Sequence, residues 1–223
     1  MGESATNTLR QQLDVLLAAH DRAGAVAAVL DAVHSGEVDL DEIYPDVLTR
    51  LLIDTGAAWQ AGTTRVWEEH FVTSIVRTII EALSTDVASI AEKAPKIGRT
   101  AVLACPSGEQ HDLGLRMLAD RLLLRGWSAY FLGADTPAAE VVSAAQSLGA
   151  DLVALSAATH YNLVLLRAFV DEVKAGLPGV RIGVGGPAFA CNHKWPAEDL
   201  LLSDELGLDE APSGSCPLPE TDG

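Results

Sequence analysis

Residues 100–114 read TAVLACPSGEQHDLG, in which a short apolar run leads through a polar loop into a helix. The run at residues 100–104 contains β-branched residues and ends before Pro106 and Gly108, which is typical of a buried strand. An amphipathic helical pattern follows near residues 112–125. A strand, a loop and a helix in this order predict the first part of an alternating β/α fold.

The same alternation continues to about residue 202. Strands are predicted at residues 100–104, 129–132, 152–155 and 181–184, with helices near 112–125, 137–148 and 162–175. Strands that alternate with helices form a parallel sheet with helices on both faces, and such a sheet binds ligands at the carboxyl ends of its strands. Residues 96–202 are therefore predicted to form a Rossmann-like, flavodoxin-like domain.

Residues 1–95 have a different pattern, because their apolar side chains recur at helical spacing. Breaks at residues 20–22, 35–36 and 61–64 divide the segment into four helices, the last of which is the longest. Short loops favour antiparallel neighbours, so we expect a four-helix bundle and an α + α/β fold class. Residues 203–223 carry six acidic residues, three prolines and no basic residue, and we expect a solvated, disordered acidic tail there.

The charge balance limits the classes of function. The 223 residues contain 15 Lys and Arg against 31 Asp and Glu, which gives a formal net charge of −16. Phosphate backbones are bound by clusters of basic side chains, and the sequence has no such cluster. We therefore expect no direct nucleic-acid binding and no binding to an anionic membrane.

The sequence also predicts where the protein works. The first residues, MGESATNTLRQQL, lack the basic start and apolar run of a secretory signal, and no apolar run reaches the roughly 18 residues of a spanning helix. Cys105, Cys191 and Cys216 are widely spaced and fit neither a disulfide framework nor a zinc site, so we interpret them as incidental thiols. These features predict a cytoplasmic protein without a membrane segment.

The loop after the first strand holds the strongest chemical signal. Glu109 and His111 are two residues apart, so both can project toward one ligand. A metal-bound imidazole commonly donates its second ring N–H to a carboxylate, which makes His111 a candidate metal ligand and Glu109 its partner. Asp112 belongs to the same loop, and Gly114 lets the backbone approach a ligand closely.

Two more strands end in suitable residues. Ser156 and Ala157 are small and follow the third strand, where they can form the floor of a deep pocket, and the Ser156 hydroxyl can donate a hydrogen bond. Gly185 and Gly186 follow the fourth strand and permit a flat group to lie against the main chain. Each signal alone is weak, because a glycine pair after a strand is usually a plain turn. The Gly185-Gly186 pair is not a dinucleotide-binding fingerprint, because that motif follows the first strand of the sheet.

Together these motifs, Glu-x-His-x-x-Gly, Ser-x-x and Gly-Gly, resemble the cobalamin-binding Rossmann-like domain. The resemblance implies that His111 replaces the cofactor's own nucleotide base as the lower axial ligand of cobalt. It implies that the Ser156 region lines the channel for the displaced nucleotide tail and that the glycines lie beside it. Most of that family has Asp where this chain has Glu109, a change that keeps the carboxylate.

The helical half contains a second motif. Trp59 is followed after nine residues by Glu69 and His70, and this Trp-x9-Glu-His spacing resembles the cap of the cobalamin-dependent photoreceptors, the CarH-like regulators. The resemblance implies that Trp59 packs against an adenosyl group. It also implies that Glu69 and His70 hydrogen-bond the ribose or polar groups near the cobalt. Without the loop around His111, the simpler interpretation is a helix-end anchor and a solvated helix face.

The resemblance implies a light sensor and not an enzyme. Adenosylcobalamin would be bound base-off with the histidine on cobalt, and light would break the cobalt–carbon bond and change conformation or subunit assembly. No helix-turn-helix module precedes the bundle, so we expect a stand-alone sensor that signals to a protein effector or regulator and forms a homo-oligomer, a dimer or larger. Residues 195–209 are short for a last strand and helix, so we expect an incomplete sheet edge.

Two alternatives stay open. Stand-alone proteins of this kind include photocobilins, which hold a bilin such as biliverdin with cobalamin, and Arg65, Arg77 or Arg116 are candidate anchors for its propionates. A corrinoid carrier protein of a methyltransferase system has the same domain order. The bulky Trp59 argues against the carrier, because repeated methyl exchange gains nothing from it.

Overall fold

The computed structural model describes residues 2–189, 195–201 and 203–208. Contacts along the chain divide it into a first unit, Met1–Ser89, and a second unit, Ile90–Gly223. In the described residues, no helix is both long enough and apolar enough to cross a membrane.

The first unit is the predicted bundle of four helical segments. The first two segments are α1 (Gly2–Ala18) and α2 (Arg22–His34). The third segment is continuous and consists of α3 (Leu40–Glu42), a π-helical turn (Ile43–Thr49) and α4 (Arg50–Gln60). The fourth is the long α5 (Val66–Lys93). Pro45 lies inside the π-helical turn and has no N–H to donate, which explains the interruption of the regular hydrogen-bond ladder. The predicted breaks coincide with the observed helix ends, so the helical architecture is confirmed.

The core of the first unit explains its helical periodicity. Helix α5 buries one apolar stripe completely, including Ile75, Ile79, Ile80 and Leu83. The first turn of α5 is closed by Glu68, whose carboxylate accepts a hydrogen bond from the backbone N–H of Arg65 at 2.7 Å. Polar residues on the other faces of α5 stay accessible.

The second unit is a parallel sheet with helices between its strands. Its elements are β1 (Thr100–Pro106), α6 (Leu113–Leu124), β2 (Ser128–Thr136), α7 (Ala138–Leu148), β3 (Leu152–Ser156), α8 (His160–Gly176) and β4 (Arg181–Gly185). The strand order is β2-β1-β3-β4, and all three pairings are parallel. This is the flavodoxin-like order, which confirms the predicted Rossmann-like architecture.

Strand β1 is apolar throughout because both of its faces are covered. Val102 and Ala104 belong to the hydrophobic cluster on one face of the sheet. Ala101, Leu103 and Cys105 belong to the cluster on the other face. Alternate residues of a strand point to opposite faces, so a strand at the centre of such a sheet reads as a continuous apolar run.

The end of the described chain corrects one expectation. Beyond β4 the described residues add only a single parallel bridge, Val184 to Leu200, in agreement with an incomplete edge. A short helix, α9 (Ser203–Leu206), follows, and Leu206 and Leu208 are buried against the sheet. A solvated tail from residue 203 is therefore wrong for residues 203–208, because burying two leucines stabilises this segment. Residues 209–223 lie outside the described part of the chain.

Candidate functional site

The loop between β1 and α6 is held by the end of β2. The N–H of Gly108 donates to the carboxylate of Asp135 at 2.8 Å, and the N–H of Asp135 donates to the carbonyl of Glu109 at 3.0 Å. Asp135 adopts a left-handed backbone with φ of 53°, which is uncommon for a residue with a side chain. The two bonds fix the path of the loop just before His111.

Glu109 is the centre of the hydrogen-bond network. Its side chain is only 1% exposed. The carboxylate accepts from His111 twice, from the backbone N–H at 2.9 Å and from Nδ1 at 2.5 Å. It also accepts from the backbone N–H of Ala158 at 2.8 Å and from the amide nitrogen of Asn162 at 2.6 Å. Four donors therefore hold one buried carboxylate.

These contacts set the charge of Glu109. Burial raises the pKa of the carboxyl, but the hydrogen bonds from His111, Ala158 and Asn162 outweigh it and lower the pKa to about 2. Near neutral pH the ionised carboxylate is acceptor-only, so Nδ1 of His111 is the ring nitrogen that donates its proton to this hydrogen bond.

The two side chains of the loop have different exposures. The His111 side chain is 65% exposed, whereas the Glu109 carboxylate is buried. The carboxylate of Glu109 is occupied by four donors from the protein, so of this pair His111 is the residue that projects toward solvent. The hydrogen bond from imidazole to carboxylate is present as expected. Metal-binding imidazoles are commonly oriented by a carboxylate in this way.

The ends of β3 and β4 lie side by side. Ser156 pairs with Gly185 in the sheet, and the N–H of Ala157 donates to the carbonyl of Gly185 at 3.1 Å. Gly186 has φ of 105°, and a Cβ there would lie 2.5 Å from the carbonyl oxygen of Ala157. The protein itself therefore requires glycine at position 186. A Cβ at Gly185 or Gly114 would meet no heavy atom within 4 Å.

Asp112 and Cys105 lie next to the histidine in the fold. Asp112 is buried and precedes the first residue of α6, and the thiol of Cys105 donates to the carbonyl of His111 at 3.6 Å. Burial, together with the negative charges of Glu109 and Asp112, raises the pKa of the Cys105 thiol to about 12. The thiol stays protonated near neutral pH and does not compete with the imidazole for a metal.

The first unit holds the other three candidate residues. Trp59 lies near the end of α4 and is 47% exposed. Glu69 and His70 lie in α5, where Nε2 of His70 is 3.5 Å from the Glu69 carboxylate and the hydroxyl of Thr73 donates to Glu69 at 2.7 Å. The structure thus brings Glu69 and His70 together, and the His70 side chain is 73% exposed.

Sequence reasoning missed Asn162 and Asp135. Asn162 lies in the first turn of α8, where its backbone N–H donates to the Thr159 hydroxyl that caps the helix. A Thr before an apolar helical pattern is a visible cap signal, so the helix start was detectable but the contact with Glu109 was not. Asp135 has no local signal, because its role depends on the pairing of β1 with β2.

Comparisons with known proteins identify similar domains in both halves of the chain. A family model described as the B12 binding domain matches residues 99–204, and a second model with the same description matches residues 9–84. The chain is 32% identical over 198 residues to the HTH-type transcriptional repressor CarH of Myxococcus xanthus, a match that covers 87% of this chain and 62% of CarH. It is 27% identical over 176 residues to dimethylamine corrinoid protein 3 of Methanosarcina acetivorans, covering 75% of this chain and 81% of that protein.

The fold has a solved counterpart. The monomethylamine corrinoid protein of Methanosarcina barkeri superimposes with a TM-score of 0.70 at 20% identity, and 91% of each chain is covered. The chain spans 62% of the length of CarH, and its match to the repressor CarA of Myxococcus xanthus, 40% identical over 59% of this chain, spans 42% of that relative. The two matching models together span most of the sequence, so most of this chain is similar to proteins with B12 binding domains.

Proposed function

We propose that this protein is a light sensor that binds adenosylcobalamin with His111 as the lower axial ligand of cobalt. The observation that carries the proposal is the hydrogen bond from Nδ1 of His111 to the buried, ionised Glu109. It orients one exposed imidazole so that Nε2 is the ring nitrogen that would bind a metal. A single protein ligand suits a metal whose equatorial positions are filled by a macrocycle. The residues present therefore fit cobalamin.

Each part of the site has its own role in the proposal. When bound, adenosylcobalamin supplies a cobalt–carbon bond that light can break. Glu109 keeps the imidazole in one tautomer, and Ser156, Ala157, Gly185 and Gly186 line the path of the nucleotide tail. Asp112 and Gly114 lie in the loop that carries His111, and the open surroundings of Gly114 leave room for a flat ring.

Trp59, Glu69 and His70 are proposed to contact the adenosyl group. Trp59 offers a large, rigid and half-exposed surface, and Glu69 and His70 offer paired polar groups for a ribose. Loss of the adenosyl group would remove these contacts and shift a conformational or assembly equilibrium. Similarity to the transcriptional repressor CarH supports a regulatory role. We also propose that the protein forms a homo-oligomer, signals to a protein effector and is located in the cytoplasm.

An absorbance experiment tests this function. The full chain is mixed with adenosylcobalamin in the dark, its spectrum is recorded, and it is then illuminated with green light. We expect a lasting spectral change and, by size-exclusion chromatography, a change of assembly or shape. If illumination leaves both the spectrum and the elution volume unchanged, the light-sensing role is wrong even if cobalamin binds.

A corrinoid carrier is the second candidate. The chain covers 81% of the length of dimethylamine corrinoid protein 3, a larger share than it covers of CarH. Binding preference separates the two functions, because a carrier takes methylcobalamin readily and the sensor prefers adenosylcobalamin. Tighter binding of methylcobalamin, measured by competition in the dark, would favour the carrier.

A second pigment is a further part of the proposal. Of the candidate anchors for a bilin, Arg116 is mostly buried and paired with Asp120. Arg65 and Arg77 are both exposed, and Arg77 lines a cleft, which makes these two the better anchors. Addition of biliverdin to the purified chain should produce an absorbance band in the red if a bilin site exists. Absence of any spectral change would remove the bilin from the function.

A further inference from the structure

The end of β2 departs from regular strand geometry beside the histidine loop. The pairing of β1 with β2 shifts register between Leu103 and Ala104 and again between Ala104 and Pro106. Irregularities of this kind bend a strand and redirect its side chains, and they are common next to functional sites. The shifts bring Asp135, the last residue but one of β2, to the loop that follows β1.

The backbone of Asp135 has an unfavourable conformation. Its φ is 53°, and among the residues that the structure describes His20 is the other residue with a side chain and a positive φ. A left-handed backbone is disfavoured for residues with a side chain, although Asp and Asn tolerate it better than most. Such a conformation persists when contacts with the surrounding structure stabilise it, and it is often found at functional sites.

Two hydrogen bonds to the histidine loop supply these contacts. The carboxylate of Asp135 accepts from the N–H of Gly108 at 2.8 Å, and the N–H of Asp135 donates to the carbonyl of Glu109 at 3.0 Å. Gly108 has φ of 85° and lies in a turn that is closed by the N–H of Glu109 and the carbonyl of Pro106 at 2.9 Å. Asp135 therefore contacts two successive residues of this turn, one through its side chain and one through its backbone.

The two acidic residues act on different parts of His111. Glu109 contacts the imidazole ring and sets its orientation. Asp135 contacts the backbone two and three residues before the histidine, so it sets the position of the residue that carries the ring. A binding group must be held within about 0.5 Å of its productive position as well as in the right orientation. Orientation by Glu109 alone therefore does not complete the site.

We propose that Asp135 is a positioning residue that holds the His111 loop where the imidazole can reach cobalt, an inference that rests on the proposed function. Without the Asp135 carboxylate, the turn at Gly108 loses one of its supports. The imidazole can still donate to Glu109, but the loop that carries it is free to shift. Cobalamin then binds with the histidine on cobalt in only part of the molecules, which a loss of stability alone would not cause.

Measurements on the full chain without and with cobalamin test the proposal. Asp135→Gly is the informative variant, because it removes the acceptor and relieves the backbone strain. Without cobalamin, we expect the Gly108 amide to exchange its hydrogen about tenfold faster by NMR, since a bond to a charged acceptor is lost. With adenosylcobalamin in the dark, we expect about tenfold lower affinity, as for other outer-shell partners. The absorbance spectrum at saturation should contain a component without histidine on cobalt.

Asp135→Asn should restore most of the exchange protection, the affinity and the spectrum. The Asn side chain keeps an acceptor oxygen for the Gly108 N–H and tolerates a left-handed backbone. Asp151→Gly is the matched control, because Asp151 makes the same two kinds of bond at the opposite end of β1. Its carboxylate accepts from the N–H of Thr100 at 2.8 Å, and its N–H donates to the carbonyl of Thr100 at 2.9 Å. This variant should leave the Gly108 exchange and the spectrum unchanged.

The results that overturn the proposal are specific. Asp135→Gly could leave the Gly108 exchange unchanged, or it could speed the exchange without changing the spectrum at saturation; either result removes the positioning role. A spectral change of equal size in Asp151→Gly would do the same. Failure of the proposed function is recognised separately, because the unchanged protein would then show no histidine coordination, and this inference would fail with it.

Discussion

The loop around His111 and the pair of residues in α5 are both polar, but the protein organises them differently. Glu109 is buried and accepts four hydrogen bonds, so the orientation of His111 is fixed by the chain. Glu69 and His70 are more accessible, and the two side chains are 3.5 Å apart without a buried partner. The difference teaches that the second unit holds its proposed metal ligand in one orientation through contacts within the protein, whereas the polar pair of the first unit has fewer such contacts.

Replacing His111 should have the largest effect on this difference. His111→Ala removes the proposed cobalt ligand, and we expect adenosylcobalamin affinity to fall by more than about 100-fold, beyond the range for an outer-shell partner. The absorbance spectrum of any remaining complex should lose the features of histidine coordination. His34→Ala is the control, because His34 pairs with Asp86 in the first unit. If His111→Ala has the same affinity and spectrum as the unchanged protein, His111 is not the cobalt ligand.

Replacing Glu109 should have the next largest effect. Glu109→Gln keeps the size of the side chain but replaces one acceptor oxygen with an amide NH₂ group. This group would face the N–H donors that now bind the carboxylate, so we expect the orientation of His111 to be lost. We expect cobalamin affinity to fall by about 10- to 100-fold. Glu109→Asp, measured in the same assay, keeps the charge and should lose less. Equal affinities of the Gln variant and the unchanged protein would show that the carboxylate does not orient the ligand.

The acid stability of the protein without cobalamin reports on the same carboxylate. The pKa of Glu109 is about 2 in the folded protein, below the unfolded value, so its contribution is present above about pH 4.5 and is lost as the pH falls toward 2. A lowering of this size corresponds to about 3 kcal/mol. The free energy of unfolding, measured with a chemical denaturant, should differ less between pH 6 and pH 3.5 in Glu109→Gln than in the unchanged protein. An identical pH effect in both proteins would contradict the assignment.

Asn162 should have a smaller effect than Glu109, because it supplies one of four hydrogen bonds. Asn162→Ala removes the donor at 2.6 Å from the carboxylate, and loss of a bond to a charged group costs about 1.5–3 kcal/mol. We expect about a tenfold loss of cobalamin affinity in an absorbance titration, with an altered spectrum. Asn7→Ala, at an exposed position of the first unit, is the control. A stability loss without any spectral change would limit Asn162 to a structural role.

Trp59 should have the smallest effect, and it tests the first unit. Trp59→Ala removes a half-exposed ring, so folding stability should change little while the preference for adenosylcobalamin over methylcobalamin falls about three- to tenfold. Trp67→Ala is a matched control, since Trp67 is 52% exposed but contacts the ring of His20. Equal losses of preference in both variants would show that Trp59 has no special role.

Local patterns predicted the fold well because they depend on periodicity. The sequence predicts all four strands within a few residues of their observed positions, except that β2 continues to Thr136. Residues 133–135 read Gly-Ala-Asp, which are poor strand formers, and they join the sheet through a shifted register against β1. The burial of Leu206 and Leu208 was missed for the same reason, because it depends on tertiary contacts and not on composition.

The site was predictable only in part. The spacing of Glu109 and His111 indicated a hydrogen-bonded pair, which the structure contains. The sequence did not show that the Glu109 side chain is buried. It also did not show that Asn162, at the start of α8, donates a hydrogen bond to the Glu109 carboxylate. Such contacts arise when distant strand ends meet, and no local pattern encodes them.

The support of the histidine loop by Asp135 has a consequence for protein engineering. Moving only the nine residues from Pro106 to Gly114 onto another parallel-sheet scaffold would leave behind the aspartate that holds the loop and the amide groups that hold its carboxylate. A graft that works must transplant three separate chain segments at once, with their mutual spacing intact. Searches for related binding loops in other proteins will gain selectivity if they match this spatial arrangement instead of a contiguous string of letters.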